Sequence, residues 1–314
     1  MVVAGKGAAL VRIQHLVLMF AVVWLFGASL VCAEPGYAPG DPQSCLGCHG
    51  EHGMKPAAGI LSTVHGQKAN PKSPMATKGC QSCHGPSAQH LTDYSSGKPA
   101  KPTVTFNAKT PVAQQNAVCL DCHQSRERTH WLGSPHEFAG VSCAGCHSVH
   151  TPRDKVMHKN TQVDVCVDCH KEKRAQMHKR SAHPLAEGEM TCTDCHNPHG
   201  TRGESLLVAD FVNENCFQCH AEKRGPFLWE HAPVRESCTN CHQPHGSVHE
   251  SMLVARGPWL CQQCHMASFH PSTAYSGSGI PPAGAAQQML DKNCMNCHTQ
   301  VHGSNHPSGA RLTR

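Results

Sequence analysis

Ten times this chain sets two cysteines three positions apart with a histidine directly after the second. The cysteine pairs are Cys45 and Cys48, Cys80 and Cys83, Cys119 and Cys122, Cys143 and Cys146, and Cys166 and Cys169. They continue as Cys192 and Cys195, Cys216 and Cys219, Cys238 and Cys241, Cys261 and Cys264, and Cys294 and Cys297. The histidines that follow are His49, His84, His123, His147, His170, His196, His220, His242, His265 and His298. Two thiols at this spacing add across the vinyl groups of a porphyrin while the adjoining imidazole reaches the iron, so each motif reads as a c-type haem attachment site. Ten motifs predict ten haems. A zinc ribbon has no reason to place histidine after every second cysteine, and a redox dithiol would be single and set in a βαβ unit. The strict spacing also argues against a disulfide framework.

The elements that position these motifs must be slight. Phe, Trp and Tyr make up 5% of the 314 residues, against 27 Gly and 22 Pro. That is too little bulky apolar material for an ordinary core of this length. The expected fold is a multihaem cytochrome c of loops and short α-helices wrapped around a linear chain of ten haems, with little or no β-sheet. Without haem the chain is expected to be largely unfolded, as small metal-dependent domains are.

Residues 1–33 read as a signal peptide. Lys6 and Arg12 supply the positive end, Leu16 to Val31 is apolar, and Val31-Cys32-Ala33 offers a cleavage site. The 16-residue apolar run is shorter than the roughly 20 residues that span a bilayer, which favours cleavage over an uncleaved anchor. Val31 also departs from the Gly or Ala expected before a lipidated Cys32. Residues 34–314 then form the decahaem domain, exported to the periplasm. The formal charge of +5 reverses once haem propionates are counted, to roughly −7 oxidised and −17 reduced. The basic chain is therefore no argument for nucleic acid.

Motif starts lie 22 to 26 residues apart from Cys119 to Cys261, with a two-haem period that implies about five di-haem units stacked along a line. Within three of these units a lone histidine precedes the second motif and another follows it: His136 with His150, His183 with His199, and His231 with His245. The outer units offer His65 with His90 and His270 with His302. These ten supply one distal ligand per iron. Bis-His iron is six-coordinate and closed to substrate, which suits electron transfer and not bond-making. No motif carries Lys in place of the proximal histidine, so no catalytic site is expected. His52, His130, His158, His178, His249 and His306 are surplus to this count. Trp131, Trp229 and Trp259 are expected against porphyrin edges, Lys171 to Arg180 as a short solvated helix, and Ser276 to Gln288 as a connector.

The chain resembles the MtrA/DmsE group of periplasmic decahaem cytochromes. The resemblance is carried by the ten motifs, by the segment Cys80 to His90, by Cys-His-x-Pro-His-Gly ending at Gly200 and again at Gly246, and by Cys294 to Gly309. It implies a wire of bis-His haems that inserts into an outer-membrane, porin-like β-barrel. The wire would carry electrons between periplasmic or inner-membrane cytochromes and an extracellular multihaem cytochrome or mineral. A soluble carrier feeding a terminal reductase is the alternative, and a multihaem enzyme acting on nitrite or hydroxylamine is the third.

Overall fold

The structure, a computed structural model, describes residues 36–39, 42–53, 55–265 and 293–313. The expected signal peptide, His270 and the connector from Ser276 to Gln288 lie outside the described residues. The chain divides into two compact units. The smaller joins residues 36–39 to 84–103. There Ala88 N–H donates to the Gly36 carbonyl, and the helix Ala88–Asp93 carries His90. The larger holds residues 42–83 and 104–313.

Short helices and turns make up the larger unit. Its described residues form no named strand, only four isolated bridges such as His196 with Leu207 and His242 with Leu253. The motif itself is a helical device. In eight motifs the histidine N–H donates to the carbonyl of the first cysteine at 2.9–3.1 Å, as His123 does to Cys119 and His298 to Cys294. One turn closed this way puts residues i, i+3 and i+4 on one face, which is why the spacing never varies.

Odd and even motifs are built differently. Four odd motifs begin near the end of an α-helix: Val112–Leu120, Lys159–Val167, Val212–Phe217 and Gly257–Gln262. The even motifs that follow sit on single turns: Cys143–Cys146, Cys192–Asp194, Cys238–Asn240 and Cys294–Asn296. A side-chain amide on the odd helix stitches three of these turns to it. Asn116 Oδ1 accepts from Cys143 N–H at 2.8 Å, and Asn213 Oδ1 accepts from Cys238 N–H at 2.7 Å. In the unit between them, Gln162 Oε1 accepts from Thr193 N–H at 3.2 Å. The helix expected after Lys171 is present as Lys171–Met177.

A core of side chains is nearly missing. Among the described residues only nine apolar ones are buried, including Ile60, Trp131, Val163, Val167 and Met177, and no large side chain is fully enclosed. Protein interiors normally leave few voids larger than a water molecule, yet here a single cavity of about 2660 Å³ runs past residues of six motifs, from Cys166 to His298. Something as large and apolar as a row of porphyrins must fill it. No helix of the described residues is long and apolar enough to cross a membrane.

Candidate haem-binding site

The histidines of the motifs do not stand alone. Seven of them face a second imidazole across a nearly constant gap. His123 faces His65 at 5.9 Å between ring centroids, His147 faces His199 at 6.1 Å, and His170 faces His136 at 6.0 Å. His196 faces His245 at 6.0 Å, His220 faces His183 at 6.3 Å, His242 faces His302 at 6.0 Å, and His265 faces His231 at 6.0 Å. An iron bonded to two imidazoles at about 2 Å from each nitrogen holds the ring centroids roughly 6 Å apart. The gap is the width of a haem iron and its two bonds.

Hydrogen bonds fix which ring nitrogen is free to bind. Distal candidates give Nδ1 to backbone carbonyls: His136 to Pro198 at 2.8 Å, His183 to Pro244 at 2.8 Å, His231 to Val301 at 3.0 Å and His90 to Ala100 at 2.6 Å. Motif histidines do the same, His49 to Lys55, His196 to Ser205, His242 to Ser251 and His298 to Arg311. With Nδ1 donating, Nε2 carries the lone pair a metal needs. Burial pushes the imidazoles of His123, His199 and His302 below their ordinary range, and takes His245 to about 4, with the Lys173 charge adding to the effect. A neutral ring is the form that ligates iron.

The placement of the motif cysteines orders the motifs. First thiols lie within hydrogen-bond reach in pairs: Cys45 with Cys80, Cys119 with Cys143, Cys166 with Cys192, Cys216 with Cys238, and Cys261 with Cys294. The bond pushes Cys45, Cys119 and Cys166 up and holds Cys80, Cys143 and Cys192 at about 7. Between pairs the second thiols come within electrostatic range, Cys83 of Cys122, Cys146 of Cys169, Cys195 of Cys219 and Cys241 of Cys264. Successive motifs are therefore neighbours in space, alternately through first and second cysteines.

Among the described residues four buried polar atoms have no partner: Arg128 Nε, Trp131 Nε1, His199 Nδ1 and Trp229 Nε1. Trp131 packs on His199 at 6.4 Å, so three of the four gather at one imidazole pair. Orphaned donors at such a place fit acceptors that haem propionates supply. Trp259 is 67% exposed in the chain without haem.

Sequence reasoning missed the residues that hold the ligands. Gly200, Gly246 and Gly303 each follow a distal histidine and sit at φ of 109°, 131° and 126°. A Cβ on Gly200 would run into the His130 carbonyl, and one on Gly246 into the Gln176 carbonyl. Only glycine fits there. The repeated Pro-His-Gly was the available signal: its proline carbonyl holds one distal histidine, its own histidine faces another motif, and its glycine lets the backbone pass.

Comparison with known proteins agrees with this geometry. A family model described as a doubled CXXCH motif matches residues 183–225 and 231–269, and one described as cytochrome c-type protein NrfB-like matches residues 80–169. The chain is 48% identical over 286 residues to the multiheme cytochrome MtrA of Shewanella baltica, covering 90% of this chain and 84% of that protein. The chain belongs to the MtrA family of multihaem cytochromes. It is also 32% identical over 139 residues to cytochrome c-type protein NrfB of Escherichia coli, across 42% of this chain and 66% of that one. An MtrA-family chain with these motifs carries c-type haems and transfers electrons among them. The expected fold holds as well: a multihaem cytochrome of loops and short helices, without a strand among the described residues.

Proposed function

We propose that this chain is the haem wire of an electron conduit through the outer membrane. Residues 1–33 direct export, and residues 34–314 form five di-haem units holding ten c-type haems. Each iron is held by a motif histidine and a distal histidine, and seven facing pairs of imidazoles support this ligation. Three irons remain, at the first, second and tenth motifs, and three expected ligands remain for them: His90, His150 and His270. The bound haems supply one-electron exchange at iron. The protein residues keep both axial positions filled, hold the imidazoles neutral and keep the attachment points adjacent, so no iron is left open for a substrate to bind.

The proximity of successive motifs carries the reading. A hydrocarbon core of about 30 Å exceeds any single tunnelling step, and a relay of closely spaced centres overcomes it. An outer-membrane, porin-like barrel sheathes the wire, with periplasmic or inner-membrane cytochromes at one end and an extracellular cytochrome or mineral at the other. Fractionation of the producing cells tests this. The expected result is copurification with a large barrel protein in the outer-membrane fraction, with only low-spin ferric haem in electron paramagnetic resonance. Recovery solely as a soluble, barrel-free protein would overturn the conduit, and a high-spin ferric signal would overturn full bis-His ligation.

A further inference from the structure

Three even motifs, the sixth, eighth and tenth, share a way of closing the loop behind the proximal histidine, and the fourth departs from it. At the sixth motif two consecutive carbonyls do the work. Ser205 O accepts from His196 Nδ1 at 2.8 Å, and Leu206 O accepts from Asn197 N–H at 2.8 Å. The eighth repeats this: Ser251 O accepts from His242 Nδ1 at 2.8 Å and Met252 O from Gln243 N–H at 2.7 Å. At the tenth, Arg311 O accepts from His298 Nδ1 and Leu312 O from Gln300 N–H. At the fourth motif one side chain replaces both carbonyls. Asp154 Oδ2 accepts from His147 Nδ1 at 2.8 Å, and its Oδ1 accepts from Ser148 N–H at 3.2 Å.

That replacement exchanges a neutral acceptor for a charged one. A carboxylate bonded to the remote nitrogen makes an imidazole a stronger donor to its metal, and the bond strengthens as the metal becomes more positive. The site is sheltered enough for the charge to count, with the Asp154 side chain 19% and the His147 side chain 31% exposed. Across the gap, no protein atom accepts from His199 Nδ1, so no side-chain carboxylate acts from the distal side. Arg128 opposes the carboxylate, but its charge is felt at both His123 and His199. It therefore does not single out the fourth motif, whereas the Asp154 bond is made to His147 alone. The nearest counterpart, Glu222, stands 3.9 Å from His220 Nδ1, beyond a hydrogen bond, on an exposed face.

We infer that Asp154 is a positioning residue that, through His147, sets the haem of the fourth motif at a more negative potential than those of the sixth, eighth and tenth. The inference rests on the proposed ligation of that iron by His147 and His199. In the electron-transfer step the iron gains or loses one electron, no bond forms or breaks, and the Nδ1 proton stays on His147 in both states. Relative to those three haems, Asp154 then makes the fourth a raised step that electrons cross briefly.

The experiment is Asp154→Asn in the full haem-loaded protein, with haem content measured first and each low-spin ferric species then followed in a potentiometric titration by electron paramagnetic resonance. With all haems retained, one species moves to a more positive midpoint and the rest stay. A tenfold preference of the carboxylate for ferric iron reads as about 59 mV for one electron. Glu222→Gln leaves every midpoint in place. An unchanged titration in Asp154→Asn, or an equal shift in Glu222→Gln, overturns the inference while leaving the ligation intact. Retention of a fully low-spin spectrum in His199→Ala would instead refute the ligation on which it rests. Should Asp154→Asn lose haem, the wild-type titration decides. It must contain one species more negative than its counterparts at the other even motifs, and a single shared midpoint among those species overturns the inference.

Discussion

Odd and even motifs of this chain carry the same five-residue pattern and solve the same problem in opposite ways. The third, fifth, seventh and ninth hang from α-helices, and the histidines that face theirs come from earlier in the chain: His65 for His123, His136 for His170, His183 for His220, His231 for His265. The fourth, sixth and eighth sit on single turns and face histidines from later: His199 for His147, His245 for His196, His302 for His242. Ring planes follow the split. They cross at 75°, 69° and 47° at the third, fifth and seventh motifs, and lie within 9° to 12° of parallel at the fourth, sixth and eighth. The ninth, at 26°, falls between. Identical local sequence thus gives two kinds of site because ligand, support and direction come from elsewhere in the chain.

The contrast exists only if haem holds both classes together, so the largest effect comes from withholding it. Expressed without haem attachment, the chain is expected to lose most of its far-ultraviolet helical signal and all cooperative melting. With nine buried apolar residues it retains too little core to offset chain entropy. A cooperative melt of the haem-free chain would remove the claim.

A smaller blow separates the classes. Gly246→Ala puts a Cβ into the Gln176 carbonyl at a backbone angle that L-residues rarely adopt, and is expected to cost about 3 kcal/mol. His245, directly before it, faces His196 of the sixth motif, so on the proposed ligation that motif should open first. A high-spin ferric signal from one iron, with odd-motif species unmoved, is the measurement.

The smallest change should strengthen an even loop. Ser205 and Ser251 occupy left-handed conformations at φ of 54° and 53°. Ser205→Gly and Ser251→Gly each relieve that cost, partly offset by the freer unfolded chain, for a net gain of about 0.5 kcal/mol. Thermal melting of the haem-loaded variants reads it, and a lower melting temperature in both would contradict the left-handed assignment.

Much of this was legible in the sequence, for a physical reason. The motif is a local device, one helical turn with its ligands on one face, and local devices leave fixed spacings. The scarcity of bulky side chains likewise announced a core made of something else. Partner choice was not legible, because His136, grouped with His150 by its place in one unit, faces out of that unit. His136 meets His170 in the next unit, and nothing in the spacing around His136 encodes a contact made 34 residues away. Asn116, Asn213 and Asp154 were passed over for the same reason. Each acts through side-chain hydrogen bonds to a turn, and an isolated polar residue carries no pattern.

The direction of ligand supply also sets a timetable. A chain that emerges N-terminus first brings His65, His136, His183 and His231 across the membrane before the motif each one faces. His199, His245 and His302 arrive about 50 to 60 residues after theirs. On the proposed ligation, the third, fifth, seventh and ninth irons would close on arrival, while the fourth, sixth and eighth would wait half-ligated for the next loop to be delivered. Construction therefore proceeds as a ratchet in which every new segment completes the one before it and leaves its own last position for the segment to come.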